Sequence, residues 1–344
     1  MQKLGFGIIG CGGISNAHAE AIASLEQTKL IAVADPVESK ARQLAEKYGV
    51  PYYLDYHELL QLPEVKIVNI CTPSGLHAQV GIDAARAGKH IIVEKPIDTT
   101  LKKADQFIQV CRENKVKLTV IFQNRFNANL RKLKETIKEG KMGKLILGGA
   151  YVPWYRTQEY YNETNWRGTI ALDGGASLIN QSIHTIDLLV WMMGEVQSLF
   201  AYTGRFAHQI EGEDLGIAIL RFRNGALGII EGSTDIYPGF PERLEVYGEN
   251  GSVIVEGGNV KTWEFKSNAP ISPEEKIAIS AAADPRKVPL SGHQAQIADM
   301  IAAITEGRSP FVTGEEGRRA LEVIRAIYRS AHLKKEISLP LKEE

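Results

Sequence analysis

A glycine-rich turn near the N-terminus constrains the fold of this 344-residue chain more than any other feature. The turn, Gly10-Cys11-Gly12-Gly13-Ile14-Ser15, follows a short apolar run and precedes a stretch with helical periodicity. Its first glycine permits a tight turn, and the glycine two residues later lets a diphosphate approach the backbone. The helix that follows offers N–H groups and a partial positive charge. This pattern favours a dinucleotide site, although Ser15 replaces the usual third glycine and such glycines can be simple turn residues.

The first 124 residues alternate between strand-like and helix-like segments. We predict strands at residues 4–9, 30–34, 66–71, 90–93 and 117–121, and helices at 13–25, 38–48, 76–87 and 100–114. Connections of this length suit parallel strands, and nearly continuous apolar strands are typical of a sheet covered on both faces. We therefore predict an α/β, doubly wound Rossmann domain over residues 1–124.

The pattern changes after residue 124. Helices are predicted at 129–139, 176–193, 293–305 and 314–333, a strand at 145–152 and a long loop at 153–168. Thr313 and Glu316 are spaced as a capping box for the last helix. Between residues 196 and 265, strand-like runs are separated by Asn-Gly and glycine-rich turns, which indicate hairpins. Residues 125–344 are therefore predicted to form a second α/β domain whose sheet is largely antiparallel.

Composition excludes several classes of protein. The chain has 40 basic and 41 acidic side chains, so it lacks the net positive charge that attracts nucleic acid or anionic membranes. Apolar runs are shorter than the roughly 20 residues of a membrane helix. Its three scattered cysteines fit a reducing compartment and argue against a structural zinc site. The N-terminus leads directly into a strand pattern, so we expect a cytoplasmic protein without a signal peptide or a metal.

Asp35 ends the second predicted strand. A carboxylate there accepts hydrogen bonds from a ribose diol and repels a 2′-phosphate, which favours NAD over NADP. The alternative is that Asp35 caps the following helix.

Lys95 stands in Glu94-Lys95-Pro96, just after the predicted strand 90–93. Ligands of open α/β sheets bind outside the carboxyl ends of the strands. A lysine there can contact a substrate oxygen and exchange a proton if partial burial lowers its pKa. The alternative is a solvated lysine before a turn.

Asn180, Gln181 and His184 form a polar group on the predicted helix 176–193, after Asp173-Gly174-Gly175. Asn180 and His184 are four residues apart, so they share a helical face. A histidine among amides at a glycine-rich helix start is a candidate acid or base, and the alternative is a structural histidine. Its spacing does not match a metal site.

The predicted loop 153–168 is rich in aromatic residues and arginines. Aromatic faces suit a sugar ring, and arginines suit a carboxylate or a phosphate. The alternative is that the loop serves packing and that its arginines pair with acidic residues such as Glu159, Glu163 or Asp173. The residues concerned are Tyr155, Arg156, Tyr160, Tyr161, Trp166 and Arg167.

With these residues in view, the chain resembles the Gfo/Idh/MocA family of NAD(P)-dependent sugar and polyol dehydrogenases over nearly its whole length. The resemblance implies a Rossmann domain followed by an α/β domain with an open, mostly antiparallel sheet. That sheet commonly mediates oligomerisation, which implies a homodimer or homotetramer. The matching segments are Gly10–Ser15, Cys71-Thr72-Pro73 with His77, Ala87-Gly88-Lys89-His90, Glu94-Lys95-Pro96, Asn124-Arg125-Phe126 and residues 174–187.

The resemblance also implies residue roles. Lys95 and His184 are the implied catalytic pair; many members have aspartate where this chain has Asn180, so proton removal falls to His184 with Lys95. The Lys95–Pro96 bond is often cis in such enzymes. The implied cofactor-binding residues are Gly10, Gly12, Gly13, Ile14, Asp35, Thr72, Pro73, His77, Glu94, Lys95, Arg125 and Trp166. The implied substrate-binding residues are Lys95, Arg156, Tyr160, Arg167, Asn180, Gln181 and His184.

The implied reaction is oxidation of a secondary ring hydroxyl of a sugar or nucleotide sugar, with hydride transfer to C4 of the nicotinamide of NAD. The run Trp166-Arg167-Gly168, with Asn180-Gln181 and His184, resembles a branch that oxidises the 3-hydroxyl of UDP-N-acetylglucosaminuronic acid, although Ala176 replaces a glycine there. Two alternatives are an NAD-dependent glycoside hydrolase and a catalytically silent NAD-binding sensor. Lys95 and His184 argue against the sensor.

Overall fold

A computed structural model describes residues 3–266 and 290–342, which form two compact units. The first unit comprises residues 3–123 and 290–318, and the second comprises residues 124–266 and 319–342. The sequence predicts a single division after residue 124, so the position of residues 290–318 differs from that prediction.

The first unit is built on a six-stranded sheet. All of its strand pairs are parallel, in the order β3-β2-β1-β4-β5-β6, and the predicted Rossmann fold is confirmed. The strands are β1 (Leu4–Ile9), β2 (Thr28–Ala34), β3 (Tyr52–Tyr53), β4 (Val65–Ile70), β5 (His90–Val93) and β6 (Leu118–Val120). The helices are α1 (Ser15–Ser24), α2 (Glu38–Tyr48), α3 (Tyr56–Leu60), α4 (His77–Arg86) and α5 (Leu101–Glu113), with 3-10 turns at Ser74–Leu76 and Gln123–Phe126.

The strand order reverses at β1, because β2 lies on one side of it and β4 on the other. In open α/β sheets, ligands bind at this reversal, outside the carboxyl ends of the strands. Strand β1 leads into the glycine-rich turn, and β4 leads into Cys71-Thr72-Pro73. Two of the segments singled out in the sequence therefore lie where a nucleotide is expected.

The second unit contains an eight-stranded sheet in the order β13-β12-β11-β7-β10-β9-β8-β14. Among the described strand pairs of this sheet, only β7–β10 is parallel, so the predicted mostly antiparallel sheet is confirmed. Its elements begin with α6 (Ala128–Lys138), β7 (Leu145–Pro153), α7 (Gln158–Asn162), a π-helical turn (Ser177–Ser182) and α8 (Ile183–Met193). Strands β8 (Val196–Gly204), β9 (Leu215–Phe222), β10 (Leu227–Ser233), β11 (Arg243–Gly248), β12 (Gly251–Glu256) and β13 (Asn259–Phe265) follow. The described chain closes with α9 (Leu290–Thr305), α10 (Gly314–Leu333) and β14 (Ile337–Ser338).

One face of this sheet is covered by α8. A Cβ added at Gly148 of β7 would lie 2.8 Å from Leu189 Cδ1 and 2.7 Å from Met193 Cγ, so the helix requires a glycine there. The other face carries apolar side chains that are 47–69% exposed in the single chain, namely Tyr202, Ile217, Ile219 and Leu227. Burial alternates along β9, as expected for a sheet with one covered face.

Helix α9 belongs to the first unit because it packs on α1. Ile297 and Met300 are buried in the same core as Ala19 and Ile22. Sequence periodicity shows that this helix has an apolar face but cannot show which sheet it covers. In the described residues, no helix is both long and apolar enough to cross a membrane.

The predicted helix 176–193 is not a continuous α-helix. Its first part, Ser177–Ser182, is a π-helical turn, and α8 begins only at Ile183. The predicted loop 153–168 also contains the short helix α7. Both differences fall beside residues assigned to the substrate, and π-turns occur frequently at functional sites.

Candidate active site

The glycine-rich turn has the shape that a diphosphate requires. Gly10 has φ +92°, and a Cβ there would lie 2.6 Å from the carbonyl carbon of Cys71, so only glycine fits. Cβ atoms added at Gly12 and Gly13 would meet no heavy atom within 4 Å. The backbone between Ile9 and α1 therefore faces open space, and the residues present fit a dinucleotide.

Asp35 is held beside this turn. Its Oδ2 accepts the backbone N–H of Cys11 at 2.8 Å, and its Oδ1 accepts that of Val37 at 2.8 Å. Helix α2 begins at Glu38 and has no side-chain cap. Asp35 thus bonds both to the glycine-rich turn, through Cys11, and to Val37, the residue before α2, but it is not the N-cap residue of that helix.

His77 connects the segments that follow β4 and β5. Its Nδ1 lies 2.7 Å from the carbonyl oxygen of Pro96, and its Nε2 lies 3.0 Å from that of Thr72. The side chain is 1% exposed, and burial lowers the pKa of His77. The imidazole therefore lies between the carbonyl oxygens of Thr72 and Pro96, and in its neutral form it donates to one of them, while Pro73 lies between Thr72 and the start of α4.

Glu94 is buried, and its carboxylate binds the backbone of Lys95. Its Oε1 accepts a hydrogen bond from His18 Nε2 at 2.9 Å, and its Oε2 accepts the backbone N–H of Lys95 at 3.1 Å. His293 Nε2 lies 3.7 Å from the same Oε1. Burial alone would raise the pKa of Glu94, but His18 and His293 outweigh it and hold the pKa well below its usual range. The expected cis bond between Lys95 and Pro96 is confirmed.

His18 and His293 were not predicted from the sequence. His18 lies on the buried face of α1, where Asn69 Nδ2 donates to its Nδ1 at 2.7 Å, and His293 lies on α9. Each is a single histidine in an apolar helical pattern, so no local signal marks it. Their relation to Glu94 appears only when the sheet and both helices are assembled.

The amides of the second unit form a chain of hydrogen bonds. Asn180 Nδ2 donates to Asp173 Oδ1 at 2.5 Å. Gln181 Nε2 donates to Asn180 Oδ1 at 3.1 Å and to the hydroxyl of Tyr160 at 2.8 Å. The structure thus brings together Asp173, Asn180, Gln181 and Tyr160, and their role toward a substrate remains a prediction. His184 is partly exposed in the first turn of α8.

The two arginines of the loop both lie over the ring of Tyr160. The Arg156 guanidinium carbon is 5.6 Å from the ring centroid, and that of Arg167 is 4.2 Å from it. Arg156 is 3% exposed and donates to Gln181 Oε1 from Nε at 3.1 Å and Nη2 at 2.9 Å. Arg167 Nη1 pairs with Glu163 Oε2 at 2.8 Å. One of the acidic pairings considered from the sequence is therefore present.

Arg125 and Trp166, which the family resemblance assigns to the cofactor, each contact other residues of the second unit. The Arg125 guanidinium forms a buried ion pair with Asp187 and lies 5.3 Å from the ring centroid of Trp191. Trp166 is partly exposed in the segment 153–168, where its carbonyl oxygen accepts a hydrogen bond from the hydroxyl of Thr169 at 2.7 Å.

Glu213 anchors the π-helical turn. Its carboxylate accepts the N–H of Leu178 at 2.8 Å, the N–H of Ala176 at 3.3 Å and the hydroxyl of Tyr328 at 3.0 Å. Burial raises the pKa of Glu213 to about 7. Gly175 has φ +150°, and a Cβ there would lie 2.2 Å from Tyr328 Oη. Glu213 and Tyr328 therefore set the backbone that carries Asn180 and Gln181.

Within the described ranges 3–266 and 290–342, two groups of side chains have atoms close enough to share a metal ion. The ligand atoms of each group lie within 4.8 Å of one another; the groups are His18, Glu94, His293 and His208, Asp214, Asp235. In each group an imidazole already contacts a carboxylate, at 2.9 Å and 2.8 Å respectively. An ion would have to replace these contacts, and the expectation of no metal remains a prediction.

Comparison with known proteins identifies the family of both domains. Residues 4–122 match the oxidoreductase family with an NAD-binding Rossmann fold, and residues 130–254 match the GFO/IDH/MocA C-terminal domain. Myo-inositol 2-dehydrogenase from Thermotoga maritima is 29% identical, over 97% of this chain and 98% of that protein. The NAD(+)-dependent scyllo-inositol 2-dehydrogenase from Bacillus subtilis is 30% identical, over 72% of each chain.

A solved structure is similar over almost the full length. The WlbA dehydrogenase from Bordetella pertussis, crystallised with NADH and UDP-GlcNAcA, has a TM-score of 0.90 and 33% identity. The match covers 99% of this chain and 100% of that one. The chain therefore belongs to the Gfo/Idh/MocA family of oxidoreductases and is an NAD-dependent sugar dehydrogenase.

Proposed function

We propose that the enzyme oxidises a secondary ring hydroxyl, the 3-hydroxyl, of a uronic acid carried as a sugar or nucleotide sugar. The observation that carries this proposal is the pair of guanidinium groups, Arg156 and Arg167, over the ring of Tyr160. Two cations beside an aromatic face suit a ring that bears a carboxylate or a diphosphate. The similarity to a dehydrogenase crystallised with UDP-GlcNAcA supports the same choice.

Lys95 and His184 are the proposed acid–base residues. His184 would remove the hydroxyl proton, and Lys95 would hydrogen-bond the developing alkoxide. Bound NAD⁺ supplies the hydride acceptor at C4 of its nicotinamide. Glu94 holds the backbone N–H of Lys95 at 3.1 Å, and the cluster that contains Asn180 and Gln181 precedes His184.

The proposed cofactor contacts lie at the reversal of the parallel sheet. Gly10, Gly12, Gly13 and Ile14 would hold the diphosphate, and Asp35 the adenosine ribose. Thr72, Pro73 and His77 would line the nicotinamide side with Glu94 and Lys95. We assign Arg125 and Trp166 to the cofactor only through the family resemblance, since the Arg125 guanidinium is paired with Asp187.

We propose a homo-oligomer, dimeric or tetrameric, formed through the open face of the second sheet. Tyr202, Ile217, Ile219 and Leu227 place a row of apolar side chains on this face, and exposed apolar patches of this kind mark protein interfaces. We also propose a cytoplasmic location, which the three buried free thiols fit.

The test of the proposed function is NADH formation from matched pairs of neutral and uronic sugars, each free and as a nucleotide derivative. The proposal expects NADH from the uronic members, with a 3-keto product identified by mass spectrometry and NMR. Activity restricted to neutral, unphosphorylated sugars would overturn it. Sugar release without net NADH would indicate a hydrolase.

A further inference from the structure

The first unit buries a carboxylate and two imidazoles in its core. Glu94, directly after β5, is 6% exposed, and His18 and His293 beside it are 0% and 1% exposed. The helices that carry the two histidines, α1 and α9, otherwise contribute apolar side chains such as Ile22 and Ile297 to this core. Burying a carboxylate costs free energy that an apolar side chain of similar size would not cost. Packing alone therefore does not explain this group.

Hydrogen bonds fix both oxygens of the Glu94 carboxylate. Asn69 Nδ2 on β4 donates to His18 Nδ1 at 2.7 Å, so His18 carries its proton on Nε2, which lies 2.9 Å from Glu94 Oε1. Burial lowers the pKa of His18, and this imidazole is therefore neutral near pH 7. The second oxygen, Oε2, accepts the backbone N–H of Lys95 at 3.1 Å. The carboxylate is thus held by a neutral donor on one side and by the backbone of Lys95 on the other.

His293 reaches the same carboxylate from α9. Its Nε2 lies 3.7 Å from Glu94 Oε1, and its ring meets that of His18 edge-on, with 5.2 Å between the centroids. Among the described residues, neither ring nitrogen of His293 has a hydrogen-bond partner. Helix α9 is attached to β6 by Gln296, whose Nε2 donates to the carbonyl oxygen of Val120 at 2.7 Å. His293 is therefore not needed to attach α9, and the charged group that it faces is Glu94.

The surroundings of Glu94 keep its negative charge. Burial alone would raise the pKa of Glu94, but the two histidines hold it well below its usual range. Burial, followed by the charge of Glu94, raises the pKa of the Cys71 thiol. Burial lowers the pKa of His77 in spite of the same charge. Cys71 and His77 are therefore uncharged near neutral pH, and the charged side chain next to Glu94 in the chain is Lys95.

We propose that His18 and His293 maintain a negative charge at Glu94 that favours binding of the oxidised cofactor, NAD⁺, over NADH. The nicotinamide ring is positively charged in NAD⁺ and neutral in NADH, which has gained a hydride. A fixed carboxylate beside the ring therefore attracts only the oxidised form. The two histidines act through Glu94, so they are positioning residues. The inference rests on the proposed function, which assigns Glu94 to the nicotinamide side of the cofactor site.

The charge would assist both ends of a turnover. It favours binding of NAD⁺ before the sugar is oxidised, and it no longer attracts the cofactor once NADH has formed. Release of NADH, a step that often limits turnover in enzymes, is therefore easier than with an uncharged side chain at this position.

The test measures the dissociation constants of NAD⁺ and NADH for the full-length protein by calorimetry, without a sugar, from about pH 6 to about pH 8.5. The quantity compared is the constant for NAD⁺ divided by that for NADH, in which any loss of folded protein cancels. Glu94→Gln removes the charge and should raise this ratio about tenfold throughout the range. In the wild type the ratio should not change with pH.

His18→Leu and His293→Leu leave the buried carboxylate with fewer partners, so burial favours its protonated form. In both variants the ratio should rise toward that of Glu94→Gln as the pH falls, and return toward the wild-type ratio as the pH rises. His18→Gln keeps an N–H donor and should lie closer to wild type. Gln296→Leu is the matched control, because it removes buried hydrogen bonds of α9 to residues 119–122 and should leave the ratio unchanged.

The outcomes separate this inference from the proposed function. A ratio that rises with acid in both histidine variants, but not in wild type or Gln296→Leu, supports the inference. An unchanged ratio in Glu94→Gln overturns both the inference and the proposed nicotinamide contact of Glu94. If Glu94→Gln changes the ratio, a pH-independent ratio in either histidine variant leaves that contact standing and overturns the role of that histidine. An equal change in Gln296→Leu also overturns the role of the histidines. No sugar is present, so the uronic acid assignment stands or falls separately.

Discussion

Arg125 and Asp187 form a buried, two-point ion pair. Arg125 Nε lies 2.7 Å from Asp187 Oδ2, and Nη2 lies 2.6 Å from Oδ1. The side chains are 3% and 2% exposed. Asp187 follows His184 in α8, and Arg125 belongs to the 3-10 turn that opens the second unit. The ion pair therefore links α8, the helix that contains His184, to the 3-10 turn at the start of the second unit.

Asp187→Leu is expected to lower the free energy of unfolding by about 3–5 kcal/mol, because it leaves the charge of Arg125 buried without its carboxylate partner. Urea denaturation measures the effect. The double variant Arg125→Met/Asp187→Leu is the control and should be much closer to wild type, since it removes both charges. A single variant as stable as wild type would contradict this view of the pair.

Glu213 predicts a pH dependence of stability. The pKa of the Glu213 carboxyl is about 7 in the folded chain, whereas in the unfolded chain it has its ordinary value near 4.5. Between these values the folded state binds more protons, so the contribution of Glu213 to stability is full below about pH 4.5 and is lost as pH rises through 7. Glu213→Gln should flatten the fall in Tm across this range. Asp235 is a second carboxyl group whose pKa is raised to about 7, by burial and by Asp214. The Tm profile of Asp235→Asn is therefore compared with that of Glu213→Gln. Parallel Tm profiles for wild type and Glu213→Gln would refute the assignment.

Asp35→Asn tests cofactor choice. The amide keeps one acceptor oxygen for the two N–H groups, of Cys11 and Val37, that Asp35 now binds, and it removes the negative charge that would repel a 2′-phosphate. We expect weaker NAD binding, by about tenfold, and tighter NADP binding than in wild type. Fluorescence titration with both cofactors measures this. Tighter binding of NADP than NAD by the wild type would contradict the proposed role of Asp35.

Arg156→Met tests whether Arg156 binds the carboxylate of a uronic acid substrate. Loss of one charge-assisted contact should raise KM for an acidic nucleotide sugar by roughly one to two powers of ten, and much less for its neutral counterpart. The ratio of kcat/KM between the two substrates cancels any loss of folded protein. If Arg156→Met left this ratio unchanged, Arg156 would not be the residue that binds the substrate carboxylate.

Local patterns in the sequence were enough to locate most of the elements. Helices α2 and α10 have the predicted bounds because their apolar periodicity is strong and their ends are marked. Thr313 Oγ1 accepts the N–H of Glu316 at 3.3 Å, so the predicted cap is present. The glycine-rich turn and Asp35 also lie together at the edge of the parallel sheet, as such a motif requires.

Long-range contacts account for what the sequence could not predict. The π-helical turn depends on Glu213, whose carboxylate holds backbone N–H groups of Ala176 and Leu178. Helical periodicity in residues 176–193 cannot indicate that a glutamate more than 30 residues later in the chain binds these N–H groups. The same holds for His18 and His293, which reach Glu94 from two helices far apart in the chain.

The most direct test of the proposed function compares initial rates of NADH formation from an acidic nucleotide sugar. Wild type should form NADH, whereas Lys95→Ala and His184→Ala should each be slower by about 10²-fold or more, the scale typical of acid–base groups. NAD affinity should stay near that of wild type in the His184 variant. His332→Ala, which changes an exposed histidine of α10, should match wild type. Near-normal turnover of His184→Ala at neutral pH would contradict the account.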